Sequence, residues 1–408
     1  MTEVRADAGA EFFTLATSPE NREDPYPLYA SVRASTPLVD TGFGLWFAFE
    51  HETCAALLRD PRSSSDERRS VLFDAWVAEH PDTMMPDYPT MLFLDPPDHT
   101  RLRNLVAQAF TPRRIELIRP RAEQIVTELL DACAEKGSFD VVEDLAYPLP
   151  VTMICEMLGV PVADHERFGG WSKALAAGLD PGVLRTPEQE QGRLDAMYAF
   201  VDYFGELIAE RSGQLGDDLL SALIAAEADG ERLTREELLG TGVLLLVAGH
   251  ETTVNLISNG MLALLRHPDQ LELLRARPDL DRPAVDELLR YDSPVQMSQR
   301  IATEPMEFDG MTVAPGQSVV VVLGAANRDP KTFDDPDRLD ITRASGQRHV
   351  AFGGGIHHCL GSALARVEGE TAIGGLVRRF PSLRPDGDPV RRPTFTLRGL
   401  EHLPVAVG

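Results

Sequence analysis

Phe352-Gly353-Gly354-Gly355-Ile356-His357-His358-Cys359-Leu360-Gly361 is the most informative stretch of the chain. Its glycines permit turns denied to other residues, let the backbone approach a flat ligand closely, and can hold amide N–H groups toward the Cys359 sulfur. Ala363, Leu364, Val367 and Ile373 follow at helical spacing, which predicts a helix from Leu360 to about Arg379 with Cys359 at its start. The helix dipole and unpaired N–H groups at such a terminus favour thiolate over thiol. Taken alone, a cysteine after a Gly-rich turn is more often an inert core residue. Zinc held by His357, His358 and Cys359 is a second alternative, but three consecutive side chains diverge and would need further ligands.

The 408 residues, 43% of them hydrophobic, can bury a large core, and no repeat or linker divides them; a single domain over residues 1–408 is expected. With 64 acidic against 39 basic residues, the formal charge of -25 repels phosphate backbones and anionic lipid, which argues against a nucleic-acid partner. Met1 to Pro19 shows no basic region followed by an apolar stretch. The longest apolar run, Val243 to Ala248, is far shorter than the roughly 20 residues that span a bilayer. A cytoplasmic protein without a membrane anchor is expected. Cys54, Cys133, Cys155 and Cys359 show no C-x-x-C spacing, so neither a disulfide framework nor a four-thiolate iron–sulfur site is indicated.

Leu45-Trp46-Phe47-Ala48-Phe49 reads as a strand of a small N-terminal sheet. Residues 61–98, rich in Ser, Asp, Pro and Met with weak periodicity, read as a long loop forming a substrate-side lid. From His99 to about Gly240 the apolar spacing is mostly helical, with breaks at Gly137, Pro161, Pro181 and Gly213 to Gly216. Thr234 and Glu237 have capping-box spacing and open a helix that meets no proline until Pro268, about 33 residues or roughly 50 Å. A short helix ending at Glu287-Leu288-Leu289-Arg290 follows, then strands around Arg300, Met311 to Val313 and Val319 to Leu323, and a final strand pair near Phe395 and Pro404. The expected fold class is mainly α with small β-sheets.

The ten-residue loop resembles the haem-binding signature of the cytochrome P-450 family, with Phe352, Gly355, Cys359 and Gly361 at its defining places. The similarity runs over nearly the whole chain, in the style of soluble actinobacterial haem-thiolate monooxygenases of the natural-product, macrolide and steroid-hydroxylase type. It implies a single-domain fold with haem b between the long helix and the cysteine loop, and Cys359 as the iron ligand. A thiolate ligand pushes electron density onto iron and favours O–O cleavage, so O2 is the implied co-substrate. Ala248-Gly249-His250-Glu251-Thr252-Thr253 lies midway along the long helix, where glycine and threonines weaken the ladder and predict a local bulge. Oxygen activation needs a hydroxyl donor resupplied by a carboxylate; the resemblance gives these roles to Thr252 and Glu251, and His250 is expected to face solvent or core. Haem propionates need donors, and His99 and Arg103, spaced i, i+4, together with Arg300 and His357, match the family's propionate-binding positions. Glu287 and Arg290 match its E-x-x-R pair, a buried structural network behind the cysteine loop.

An apolar substrate wall is expected from Leu244, Leu245 and Ala248, from Val295 and Met297, from Met91 and Leu92 of the lid, and from Phe395, with Gln296 as a polar contact. That lining suits a bulky hydrophobic molecule of macrolide/polyketide, terpenoid or steroid-like type, hydroxylated or epoxidised by a monomeric enzyme. The chain ends at Gly408 without a flavin or iron–sulfur module, so a separate ferredoxin with its reductase is the expected electron donor, docking on Arg113, Arg114, Arg343, Arg348 and Arg366. A peroxide-driven enzyme is disfavoured by the Glu251-Thr252 pair, and a haem sensor by the absence of an output domain.

Overall fold

The computed structural model describes residues 11–12, 14–79, 88–108, 110, 112–228, 231–308, 310–344 and 348–407. The chain forms two compact units, one from Met1–Met84, Asp286–Cys359 and Pro393–Arg398, the other from Met85–Val285, Leu360–Arg392 and Gly399–Gly408.

The first unit is built on a five-stranded sheet in the order Leu38–Asp40, Leu45–Ala48, Ser318–Val322, Met297–Ala302, Ser63–Ser64. All its pairings are antiparallel except that of Ser318–Val322 with Leu45–Ala48, whose register sets Val319 against Trp46. Both faces are covered, which is why Leu45–Phe49 is apolar without interruption. Trp46, Ala48, Val319 and Val321 join Leu38, Cys54, Leu57 and Val350 in one core cluster. Phe47 and Phe49 instead meet Phe12 edge to face, with ring centroids 4.9 and 5.0 Å apart.

The expectation of an unbroken loop over 61–98 is corrected. Ser63–Ser64 adds an edge strand and Val71–Glu79 is helical. Val71-Leu72-Phe73 and Trp76-Val77 give that helix apolar residues on nearly every side, so periodicity could not reveal it. The Phe395 strand is corrected too: Phe395 lies in a bend, while Leu400–His402 pairs with Val390–Arg391 and Pro404–Ala406 lies between Arg384–Pro385 and Ser138–Asp140.

The E-x-x-R pair is fully buried in the first unit. Arg290 donates to both Glu287 oxygens at 2.8 Å and to the carbonyls of Asn327, Pro336 and Arg338 at 3.0, 2.8 and 3.2 Å. Glu287 also accepts from Arg343 at 3.1 Å, and Asn327 accepts from the Val350 amide at 2.7 Å, just ahead of the cysteine loop. A buried guanidinium with every donor placed cross-ties chain segments that lack regular structure. Arg343 is therefore an internal brace that also donates to the Asp334 and Asp335 carbonyls, which corrects its assignment to a docking surface. Arg113 and Arg114 carry side chains outside the described set.

The second unit is helical. Its centre is Arg235–Arg266, 32 residues and about 48 Å long. The predicted capping box is present: Thr234 Oγ1 accepts from the Glu237 amide at 3.2 Å and Glu237 accepts from the Thr234 amide at 2.8 Å. The helix is α-helical throughout, so the bulge expected at Ala248–Thr253 is absent. Gly249 has another role there: a Cβ on it would lie 2.9 Å from Ile154 of the neighbouring helix Pro148–Leu158. The glycine permits close helix packing rather than breaking the ladder. Among the described residues no helix is long and apolar enough to cross a membrane.

Candidate active site

The first unit holds the cysteine loop. Gly353 and Gly355 have φ of +68° and +64°, and a Cβ on Gly355 would fall 2.2 Å from the Leu58 carbonyl oxygen. Glycine is the residue that fits both the turn and that close approach. The Cys359 amide donates to the Phe352 carbonyl at 2.9 Å and the His358 amide to Gly355 at 3.2 Å, folding the loop back on itself. Helix Ser362–Arg379 begins two residues later than expected, with Gly361 as its N-cap.

Cys359 is exposed, whereas Cys54, Cys133 and Cys155 are buried. Burial pushes the Cys133 thiol up to about 11 and the Cys155 thiol to about 12, and moves Cys54 higher still. Those three are inert core residues. Cys359 departs from them in environment, which removes the buried-cysteine alternative. No group of three His, Cys, Asp or Glu side chains among the described residues converges to hold a metal ion, so the zinc alternative loses its support.

Arg300, buried in Met297–Ala302, donates to Ser298 Oγ at 3.0 Å and to the Gln299 carbonyl at 2.7 Å. His357 is half-buried in the Gly355–His357 turn. Val295 forms a β-bridge with Leu397, two residues beyond Phe395, and Met297 is buried at the strand's start. Gln296 does not present its amide to a cavity as expected. It is buried, donates to the Ser293 carbonyl at 2.7 Å and to the Tyr26 hydroxyl at 3.4 Å, and its Oε1 lies 2.2 Å from where a Cβ on Gly324 would be. Sequence gave no sign that Gly324 makes room for it.

In the second unit the long helix is buried over most of its length, but not along one stripe. Leu244 and Thr252 are half-buried and Ala248, between them, is exposed, so the positions i, i+4 and i+8 leave one face uncovered by protein. Leu245 is buried behind that face. Thr252 Oγ1 donates to the Ala248 carbonyl at 3.1 Å. Glu251 is buried at 1% exposure, and its Oε2 accepts from Arg392 Nη1 at 2.6 Å while Oε1 lies 3.5 Å from His250 Nε2. Burial by itself would raise this carboxyl; the His250 ring and the Arg392 guanidinium outweigh it and hold the pKa at about 2. His250 is a core residue, with Nδ1 2.7 Å from the Leu246 carbonyl and its ring edge-on to Tyr147.

Arg392 is the functional residue that sequence reading missed. It follows Val390–Arg391, 141 positions from Glu251, with no motif marking it. Only the need of a buried carboxylate for a cation could have prompted a search among the arginines.

His99 and Arg103 share the helix Asp98–Ala107. His99 is buried, and burial together with the Arg103 charge lowers its pKa, so it offers a neutral N–H while Arg103 supplies the positive charge. Met91 is half-buried and Leu92 exposed in the turn-rich stretch before them. By residue type, Cys359, Arg300 and His357 of the first unit suit a thiolate-ligated iron porphyrin and its propionates, and His99 and Arg103 of the second unit are likewise of the kind that holds a propionate.

The comparisons with known proteins agree. The family model described as Cytochrome P450 matches residues 73–277 and 280–402. The chain is 46% identical over 395 residues to the cytochrome P450 monooxygenase PikC of Streptomyces venezuelae, covering 94% of this chain and 91% of that one. It is 41% identical to 6-deoxyerythronolide B hydroxylase of Saccharopolyspora erythraea, covering 94% and 96%. The ligand-free crystal structure of Mycobacterium smegmatis CYP164A2 superposes with a TM-score of 0.91 at 41% identity, covering 97% of this chain and all of that one. The fold is that of these enzymes, and the chain belongs to the cytochrome P450 family, as a monooxygenase that uses haem iron and O2.

Proposed function

We propose that this monooxygenase hydroxylates or epoxidises a bulky hydrophobic molecule, of macrolide/polyketide, terpenoid or steroid-like type, with electrons from a separate ferredoxin and its reductase. The observation that carries the reading is the uncovered Leu244–Ala248–Thr252 stripe beside a buried, ion-paired Glu251. The relative named for hydroxylating 6-deoxyerythronolide B supports the macrolide side of this class. The reading takes residues 1–408 as one functional domain working as a cytoplasmic monomer.

Cys359 would ligate the iron of haem b, and His99, Arg103, Arg300 and His357 would hold its propionates. When bound, the haem supplies oxygen activation, with the overall balance RH + O2 + 2e− + 2H+ → ROH + H2O. Leu244 and Ala248 would present apolar surface to substrate, with Met91, Leu92, Val295, Met297 and Phe395 as further proposed wall residues, whereas Leu245, buried behind that face, would back the wall and not line it. Thr252 Oγ1 donates to the Ala248 carbonyl, so giving its proton elsewhere requires the hydroxyl to rotate about Cβ–Oγ1 and break a hydrogen bond of about 1 kcal/mol. Arg392 and His250 keep Glu251 a carboxylate at neutral pH, and in the proposed relay it would have to loosen from Arg392 to carry a proton to Thr252.

The test is spectral and then catalytic. The reduced, carbon monoxide-bound protein should show the red-shifted Soret band of thiolate ligation, and Cys359→His should abolish it; an ordinary Soret position in the native chain sinks the reading. Macrolactones, terpenoids and steroids are screened for a spin-state shift, and binders are incubated with NADPH, a ferredoxin and its reductase. Thr252→Ala should consume O2 with most electrons diverted to hydrogen peroxide. Unchanged coupling would remove Thr252 from proton delivery.

A further inference from the structure

The stripe on the long helix has a closed end. Gly240 lies one turn ahead of Leu244, on the same face as Ala248 and Thr252, yet it is buried. What covers it is backbone: a Cβ on Gly240 would meet the Pro89 carbonyl oxygen at 2.7 Å and that of Tyr88 at 2.9 Å. Those atoms cannot swing aside as a side-chain tip could, so any larger residue forces the Tyr88–Pro89 segment off the helix.

The same segment is tied down again further on. Arg101, in helix Asp98–Ala107, pairs with Glu237 through both of its terminal nitrogens. Glu237 is also the capping-box carboxylate of the long helix and is mostly buried, so its position is fixed independently of Arg101. Glu237 and Gly240 are spaced i, i+3, neighbours on the helix surface. The strap from Tyr88 to Arg101 therefore leaves the helix and returns to it within one turn. Between its two anchors it carries Met91, Leu92, Phe93 and Leu94, with Leu92 and Phe93 41% and 46% exposed. Both anchors lie at the Gly240 end of the stripe, and the residues between them are apolar and partly exposed.

We propose that Gly240 is a specificity-determining residue: it lets the Tyr88–Arg101 strap lie on the long helix, and so sets how far an extended apolar substrate can reach along the Leu244–Ala248 stripe. This rests on the reading of that stripe as the substrate wall. The ligand class it limits is the long hydrocarbon chain, and the Arg101–Glu237 pair is the second, positioning anchor.

The experiment uses the haem-loaded full chain and n-alkylimidazoles from butyl to dodecyl, titrated by the spectral shift of imidazole nitrogen on iron. While each added methylene is being buried, binding should tighten about fourfold per carbon, and that gain should stop at the chain length that meets the strap. In Gly240→Ala the stopping point should move outward by at least one carbon, so the first chain past the native limit binds about fourfold tighter than in the native enzyme. Arg101→Gln, which loosens the other anchor without a substitution in the long helix, should move it the same way, and it decides the matter if Gly240→Ala fails to load haem. An unchanged or shortened limit overturns the proposal. Absence of any imidazole shift in the native enzyme would instead refute the haem-thiolate site beneath it.

Discussion

Replacing Arg392 by leucine probes how the buried acid of the long helix is kept charged. In the native protein the Glu251 carboxyl is depressed from 4.5 to about 2, which at 1.36 kcal/mol per unit corresponds to about 3 kcal/mol of stability at neutral pH. A group with a lowered folded pKa contributes fully above its unfolded value, here about 4.5, and loses that contribution as the pH falls toward about 2. Arg392 lies 2.6 Å from Glu251, and both side chains are at least nine-tenths covered, so removing the cation strands a buried carboxylate. Such losses run to about 3–5 kcal/mol for fully buried pairs. His250 shares the load, so the expected loss for Arg392→Leu at pH 7 is about 2–3 kcal/mol. Urea unfolding of the native chain, Arg392→Leu, Glu251→Gln and the double variant gives the coupling directly. The cycle should return about 2 kcal/mol at pH 7 and shrink as the pH is lowered through the raised Glu251 pKa of the Arg392→Leu variant toward about 2, because a protonated Glu251 no longer needs its cation. Coupling below about 0.5 kcal/mol at pH 7, or one that does not change with acid, refutes the reasoning. The functional counterpart is a rise in the pH at which product formation per O2 consumed falls off, since without Arg392 burial drives the carboxyl upward.

Glu368, buried at 1% exposure in Ser362–Arg379, behaves oppositely: burial raises its pKa to about 8, with a contact to Thr253 pulling weakly the other way. Its penalty is absent below about 4.5 and grows as the pH rises through about 8, so the gain in urea midpoint from Glu368→Gln should increase from pH 5 to pH 9; a pH-independent difference counts against this. Gly355→Ala must adopt a φ of +64° and intrude on the Leu58 carbonyl, so haem content per folded chain should fall several-fold, read from the ratio of Soret to protein absorbance. Arg290→Met leaves the buried Glu287 to Arg343 and the Asp340 amide and should cost about 3 kcal/mol or more in chemical denaturation, an effect that a surface ion pair of about 0–1 kcal/mol could not produce.

What sequence determined by itself was local. The glycines around Cys359, the Thr234–Glu237 cap, the proline-free run to His267 and the E-x-x-R spacing each act through residues within a turn or two, and each appears as written. The strand of residues 45–49 was legible as a short, aromatic, uninterrupted apolar run, which reports burial on both faces wherever the partner strands lie. The helix Val71–Glu79 was missed because it carries no one-sided stripe, and the bulge at Gly249 was wrongly expected because propensity knows nothing of Ile154, which would lie 2.9 Å from a Cβ at that position. Tertiary structure alone decided that Arg392 grips Glu251, that Gln296 turns inward against Gly324, and that Tyr88 and Pro89 lie on Gly240. Those contacts join residues far apart in the chain, and the burial that gives each its energy exists only once the chain has closed around it.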